Sequence, residues 1–297
     1  MKQELFSPRR NFAAIPDGFN DLETAQAVIL PVPYDSTTDW RVGAREGPQA
    51  IIDASQFMEL YDLEMDREVY RVGIHTLPEM QVVMRGPEPT VERVYEVTRE
   101  LLERGKMPVM LGGEHSLTAG AVKACAQAWD QLTVLHLDAH ADLRDEYLGT
   151  RFSHACVMRR VLELCPGVQV GIRSLSLEES RFIRERKLKH FYAGDSGGAL
   201  PAPEAVAAGL SSHVYITIDL DFLDPSVMPA VGTPEPGGAD WAYLLGLLRV
   251  VSRKCHIVGF DLMELCPREG PISCAFLAAK LAYKLIGYAI PTEATQV

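Results

Sequence analysis

Six short, largely apolar runs punctuate the chain, at 27–31, 107–111, 133–137, 168–172, 214–218 and 257–262. Runs of about five residues are too short for a helix, and continuous rather than alternating apolarity marks strands buried on both faces, as a parallel sheet requires. Between them, 91–104 and 239–252 carry helical patterns. Strand and helix in alternation predict an α/β architecture whose parallel sheet is covered on both sides. The Pro/Gly-rich pieces at 86–89 and 194–203 are short and sit between patterned segments, so they read as surface loops rather than linkers. With 297 residues and no break in composition, one domain over 1–297 is expected, residues 1–25 forming an N-terminal extension.

Polar residues gather where these runs end. The run at 133–137 feeds Asp138-Ala139-His140-Ala141-Asp142, and the run at 214–218 feeds Asp219-Leu220-Asp221. The run at 107–111 leads into Gly112-Gly113-Glu114-His115, and 257–262 delivers Glu264. Side chains alternate along an extended chain, so Asp219 and Asp221 are expected on one face, about 7 Å apart at their Cα atoms, with Leu220 turned into packing. Open parallel sheets place their sites beyond the carboxyl ends of the strands, so four scattered segments are expected to meet in one crevice.

Carboxylates and imidazoles without thiolates suit a borderline-hard divalent ion: manganese, with cobalt, nickel or iron(II) as substitutes and zinc less favoured. Six ligands (His115, Asp138, His140, Asp142, Asp219 and Asp221) are too many for one open catalytic metal and natural for a pair sharing bridging carboxylates. Water bridging two such ions is held as hydroxide at neutral pH. The four aspartates offset the two ions, so that hydroxide and a nearby Glu264 leave the pocket anionic. A small cation is the expected partner. Guanidinium fits, because its planar fork matches a carboxylate and its resonance-deactivated carbon needs a strong nucleophile.

The net charge of −11 agrees with a cationic substrate and disfavours nucleic acid or anionic membrane as a partner. No apolar stretch approaches membrane-spanning length, and the N-terminus, with Pro8, Arg9, Arg10 and Pro16, has no apolar core region. A soluble, cytoplasmic protein is expected. Six cysteines without a Cys-x-x-Cys pair read as reduced and mostly buried thiols.

In these motifs the chain closely resembles the ureohydrolases, the arginase and agmatinase superfamily, and its agmatinase branch in particular. The resemblance runs from residues 43–51 through Gly112-Gly113-Glu114-His115-Ser116, the Asp138 cluster and Ser153-His154-Ala155 to 219–225 and 232–238. It implies a three-layer αβα fold with an eight-stranded, mostly parallel sheet, two manganese ions per subunit and a homotrimer or homohexamer. It assigns one ion to His115, Asp138, Asp142 and Asp219 and the other to Asp138, His140, Asp219 and Asp221, so that Asp138 and Asp219 bridge. It further implies that the hydroxide attacks the guanidinium carbon, Asp142 orients it, Glu264 anchors the guanidinium and His154 passes the proton to the leaving amine. Urea and an amine result. After Glu264 the chain departs from common agmatinase patterns, with Cys266-Pro267-Arg268-Glu269-Gly270 in place of a tyrosine-aspartate pair.

The expected substrate is agmatine, hydrolysed to putrescine and urea in polyamine biosynthesis. Arginases resemble one another in an asparagine- and serine-rich loop after the first aspartate cluster, whereas residues 143–149 here hold Asp145 and Glu146, which suit an amine tail. Arg144 points the other way, toward a guanidino acid such as 4-guanidinobutyrate or 3-guanidinopropionate, with arginine a further alternative. A metal-dependent amide hydrolase and an inactive binding protein are the remaining classes, each expected to lack part of the six-ligand set. Plainer readings compete at single residues. Glu264 could pair with Arg268, four residues on; His154 could be a solvated loop histidine; Ser153 beside it suggests a nucleophile pair, discounted because no Gly-x-Ser-x-Gly elbow is present. Gly112-Gly113 lacks the glycine spacing of a phosphate cradle. Residues 43–51 shape a loop and start a helix at Pro48, with a structural Arg45. His75, His136, His190, His213 and His256 have no partners by spacing and read as ordinary.

Overall fold

Every apolar run of the sequence lies inside one sheet of the computed structural model, which describes residues 11–38, 40–193 and 198–291. The strands are β1 (Ala27–Val32), β2 (Tyr61–Asp62), β3 (Arg67–Glu68), β4 (Ile74–Thr76), β5 (Met107–Gly112), β6 (Leu132–Leu137), β7 (Gly167–Ile172), β8 (Lys189–Tyr192), β9 (His213–Asp219) and β10 (His256–Met263). The helices are α1 (Gly47–Ser55), α2 (Pro87–Glu103), α3 (Thr118–Ala128), α4 (Val157–Val161), α5 (Leu177–Arg186), α6 (Pro203–Ala207), α7 (Trp241–Lys254) and α8 (Ser273–Ala289).

Eight strands form the sheet in the order β4-β1-β5-β10-β9-β6-β7-β8, and every neighbouring pair is parallel. β2 and β3 make a separate antiparallel hairpin. Two apolar layers sandwich the sheet. Ile51, Val206, Leu247 and Leu281 bring α1, α6, α7 and α8 to one face, and Val94, Val122, Val161 and Ile183 bring α2 to α5 to the other. Each such side chain, fully buried, contributes roughly 1.5–3 kcal/mol. The expected αβα layering is what this burial produces.

Helix starts follow local chemistry. Asp240 caps α7 by accepting the Tyr243 N–H, and Ser176 with Glu179 forms a capping box on α5. α2 begins at Pro87, so residues 87–89 are helix and not the loop their composition suggested; proline suits a first turn, where no N–H is needed. Of the other expected loop, residues 194–197 lie outside the described residues, as do Pro8, Arg9 and Arg10 of the N-terminus. Phe12 is wholly buried, and the Ala13 N–H donates to Ser55 Oγ at 2.7 Å, so this part of the expected extension packs against the end of α1. All six cysteines are free thiols, five of them buried. At the far side, Lys284 of α8 donates to Asp62 at 2.8 Å and lies 3.1 Å from Glu64, clamping the hairpin to the last helix. Among the described residues no helix is long and apolar enough to cross a membrane.

Candidate metal centre

The sheet order sets β5, β10, β9 and β6 side by side, so the four strands that lead into the polar clusters open together on one edge. After β5 the chain turns at Gly113, where a Cβ would fall 1.8 Å from the Tyr34 carbonyl oxygen. Close approach of the loop after β1 thus accounts for this glycine. His115 follows, buried, in a one-turn helix. It lies 2.7 Å from Thr217 Oγ1 through Nε2, which turns Nδ1 toward Asp138 (3.1 Å), Asp219 (3.3 Å) and Asp142 (3.6 Å). Below it, the Thr118 and Tyr215 hydroxyls donate to the buried Asp261 at 2.9 and 2.8 Å.

Asp219 and Asp221 reach the site differently from the alternation expected of a strand. β9 ends at Asp219, whose carboxylate accepts the Asp221 N–H at 2.8 Å, and residues 220–222 coil into a one-turn helix. The turn bonds to its own capping carboxylate, which stops the strand there. Leu220 is wholly buried, as expected. On the Asp138 side the same device recurs, Asp138 Oδ1 accepting the His140 N–H. His140 Nδ1 then stands 2.8 Å from Asp221 and 3.6 Å from Asp138. Asp142 adopts a left-handed φ of 53°, held by its carbonyl accepting the Met158 N–H at 3.0 Å.

Ligand atoms of His115, His136, Asp138 and Asp142 lie within 4.8 Å of one another, as do those of Asp138, His140 and Asp221. Asp138 belongs to both groups. His136, read from the sequence as ordinary, therefore sits in the cluster, wholly buried, with Nε2 2.8 Å from Asp138 Oδ2. Its place two residues before Asp138 on one strand face was the available signal.

The donor set fits a cation. His115 Nδ1 and Asp138 Oδ2 are buried and have no hydrogen-bond partner among the described residues, a costly state that a metal would relieve. The carboxylates also disturb one another. Burial and the Asp138 charge push Asp142 well above the usual carboxylate range, and burial with Asp221 and Asp138 does the same to Asp219. Burial also works against Asp138, yet the imidazoles of His136, His115 and His140 hold it well below that range. Among the described residues no lysine or arginine makes an ion pair with any of these four aspartates.

Glu264 follows β10 with φ of 65°, its N–H bonded to the Gly113 carbonyl at 2.9 Å, and its Oε1 accepts the His115 N–H at 2.7 Å. Burial, then the Asp219 and Glu114 charges, push its carboxyl well up. The alternative pairing with Arg268 does not form, because Arg268 binds Glu46 at 2.5 Å. Glu269 pairs with Arg41, so both charges of the unusual segment after Glu264 are spent on the loop at 40–46. Arg45 binds Asp35, a structural role as expected.

His154 is held by residues the sequence did not single out. Its N–H donates to Thr37 Oγ1 at 3.0 Å, and the Thr37 hydroxyl donates to Glu114 Oε1 at 2.8 Å. Glu114 also accepts the Thr37 N–H at 2.7 Å. Ser153 Oγ does come within 3.3 Å of His154 Nδ1, but Ser153 is wholly buried, which agrees with discounting it as a nucleophile. His115, Asp142, His154, Asp219 and Glu264 line a cavity of about 310 Å³. Trp40, Arg41, Arg144, Tyr147 and Thr233 line the same cavity, and the Arg144 guanidinium lies 4.8 Å from the Tyr147 ring centre. Asp145 turns away to Arg160 at 2.5 Å, so it does not serve as the tail acid that composition suggested.

A parallel sheet of this order with paired Asp/His clusters on one edge defines a metallohydrolase of the ureohydrolase type, and comparison with known proteins agrees. A family model described as the arginase family matches residues 25–287. The N(1)-aminopropylagmatine ureohydrolase of Synechocystis sp. is 39% identical over 96% of this chain and 97% of its own length, and the agmatinase of Pyrococcus horikoshii 34% identical over 90% and 93%. The solved agmatine ureohydrolase of Thermoplasma volcanium superposes with a TM-score of 0.84 at 32% identity, covering 97% of this chain and 96% of that one. The chain belongs to the arginase family, as an enzyme of its agmatinase-like ureohydrolase branch.

Proposed function

We propose that the chain removes urea from a decarboxylated guanidino amine, with N(1)-aminopropylagmatine the preferred substrate and agmatine, the sequence-based expectation, the next. The observation that carries a cationic substrate is a buried carboxylate cluster that pairs with no lysine or arginine among the described residues and faces an open cavity. Relatives named for aminopropylagmatine are 37–41% identical, against 32–34% for those named agmatinase, which favours the longer amine. Arg144 at the cavity carries a second reading, a guanidino acid whose carboxylate it would meet.

His115, Asp138, His140, Asp142, Asp219 and Asp221 would hold two manganese ions. Such a pair, when bound, supplies a nucleophile ionised at neutral pH and offsets the charge that develops on the substrate. Asp142 orients the attacking water. Glu264, its Oε1 already bonded to the His115 N–H, presents its second oxygen to the guanidinium, and the arriving cation restores the ionised carboxylate that burial opposes. His154 takes up on Nε2 a proton released by the attacking water and passes it to the departing amine nitrogen. One water is consumed, the guanidino carbon leaves as urea, and the amine keeps its chain, a triamine from the longer substrate or a diamine from agmatine. We also propose a homotrimer or homohexamer, the assembly the family resemblance implies.

The test is urea release from manganese-loaded protein, compared as kcat/KM across N(1)-aminopropylagmatine, agmatine, arginine, 4-guanidinobutyrate and 3-guanidinopropionate. The amines should lead every carboxylated substrate by about tenfold or more. A lead of that size for a carboxylated substrate would give Arg144 the deciding role and overturn the proposal.

A further inference from the structure

His136 lies directly beneath the cluster, and geometry alone leaves it two roles. Its Nε2 falls among the ligand atoms of His115, Asp138 and Asp142, so it could be a third imidazole ligand. It also stands 2.8 Å from Asp138 Oδ2, outside full hydrogen-bond geometry, so it could instead set an N–H against that carboxylate.

The opposite side of the ring decides between them. Gln169 of β7, almost wholly buried, places its side-chain nitrogen 2.7 Å from the Ala141 carbonyl oxygen and 3.1 Å from His136 Nδ1. A carbonyl oxygen only accepts, so the Gln169 atom facing Ala141 must be the amide nitrogen; the reversed amide would set oxygen against oxygen. The second N–H of that nitrogen meets His136 Nδ1, which must then accept. In a neutral ring the proton is left on Nε2, the atom facing Asp138 Oδ2. A bare Nε2 lone pair there would confront an anionic oxygen at 2.8 Å. One assignment satisfies both Gln169 contacts and avoids that clash of lone pairs; Gln169 Oε1, His136 Nε2 and Asp138 Oδ2 are left without a full hydrogen bond among the described residues.

We infer that His136 is a positioning residue and not a ligand: Gln169 fixes its proton on Nε2, and that N–H steadies the carboxylate of Asp138. The N–H lies against Asp138 Oδ2 and draws charge from it, and partners of this kind typically tune metal affinity about 10–100-fold. The inference rests on reading Asp138 as a ligand, so its test separates the two.

Full-length protein carrying ¹⁵N-histidine is examined by long-range ¹H–¹⁵N correlation, metal-free and after loading with Zn²⁺ as a diamagnetic probe. His136 is expected to keep a protonated Nε2 and an unprotonated Nδ1 in both states; loss of the Nε2 proton on zinc binding would make it a ligand and overturn the inference. A chelator competition then follows two variants. His136→Leu should still bind two ions, each about 10–100-fold more weakly, while His136→Gln, which restores an N–H near the Nε2 position, should recover most of that loss. A missing equivalent of metal in His136→Leu, unchanged affinity, or no recovery with glutamine each contradicts the positioning role. Should the leucine variant fail to fold, the wild-type spectrum still decides. Asp138→Asn binding two ions as tightly as the parent would instead sink the ligand reading, leaving the proton assignment on His136 intact.

Discussion

The Thr37 hydroxyl stands 3.1 Å from Nδ1 of His154 while it also accepts that residue's backbone N–H. Its own proton goes to Glu114, so Thr37 can only accept from the ring, which places the neutral ring's proton on Nδ1 and its lone pair on Nε2. Through one hydroxyl the loop after β1 sets both the place and the tautomer of a histidine more than a hundred residues away.

Removing that hydroxyl should therefore act on proton transfer. Thr37→Val is expected to lower kcat about 10–100-fold at unchanged metal content, and Thr37→Ser to restore most of it, since a positioned acid typically contributes about a hundredfold or more. Steady-state kinetics with parallel elemental analysis check this. Equal kcat for valine and threonine would remove Thr37 from the proton path.

Glu264→Gln keeps the shape but removes the charge that meets the guanidinium. A loss in kcat/KM of about 30-fold or more is expected, since truncating one partner of a buried charge pair costs roughly 2–5 kcal/mol. Part of it should appear in KM. Near-parent kcat/KM at neutral pH would show that the guanidinium is anchored elsewhere.

Metal content offers an independent check on the cluster. Two manganese ions per chain should be found in active protein, and chelation should abolish urea release and lower the melting temperature, because ligands bind the folded state. Asp138→Asn should cost far more activity than Cys156→Ala, whose thiol is buried and pushed up to about 11 by burial. A single equivalent of metal in fully active protein would contradict the paired site.

Far from the cavity, Glu64 predicts acid sensitivity. Burial alone would raise its carboxyl, but hydrogen bonds from Arg249, Tyr288 and Lys284 outweigh it and bring it down from 4.5 to about 2. Such a depressed group stabilises the folded state fully above its unfolded value, and the contribution fades as pH falls from about 4.5 through about 2. Glu64→Gln should lower the melting temperature at pH 7 and flatten its dependence across that interval. Both proteins are compared metal-free by circular dichroism; parallel curves would count against the Glu64 account.

Legibility in the sequence followed burial. The six central strands were readable to within two residues, because strands covered on both faces must be apolar throughout. β4 and β8 were missed, being short sheet edges that carry His75, Lys189 and His190. α8 has apolar residues almost all round, so it shows little of the one-sided pattern that marks a surface helix. The six ligand candidates stood out as clusters at strand ends. Thr37, Glu114 and Gln169 reach the site through partners 28 to 117 residues distant, and local spacing carries no trace of such contacts.

The interleaved strand order also fixes when a metal centre can come into being. β5 and β6 are made early, yet they are not neighbours; β9 and β10, translated last, fill the gap between them. A nascent chain that has emerged only through residue 212 carries His115, Asp138, His140 and Asp142 just after strands that each still lack one neighbour, with Asp219, Asp221 and Glu264 still to come. Capture of the proposed ion pair would thus come late in biosynthesis, and its tight binding would report that the middle of the sheet has closed.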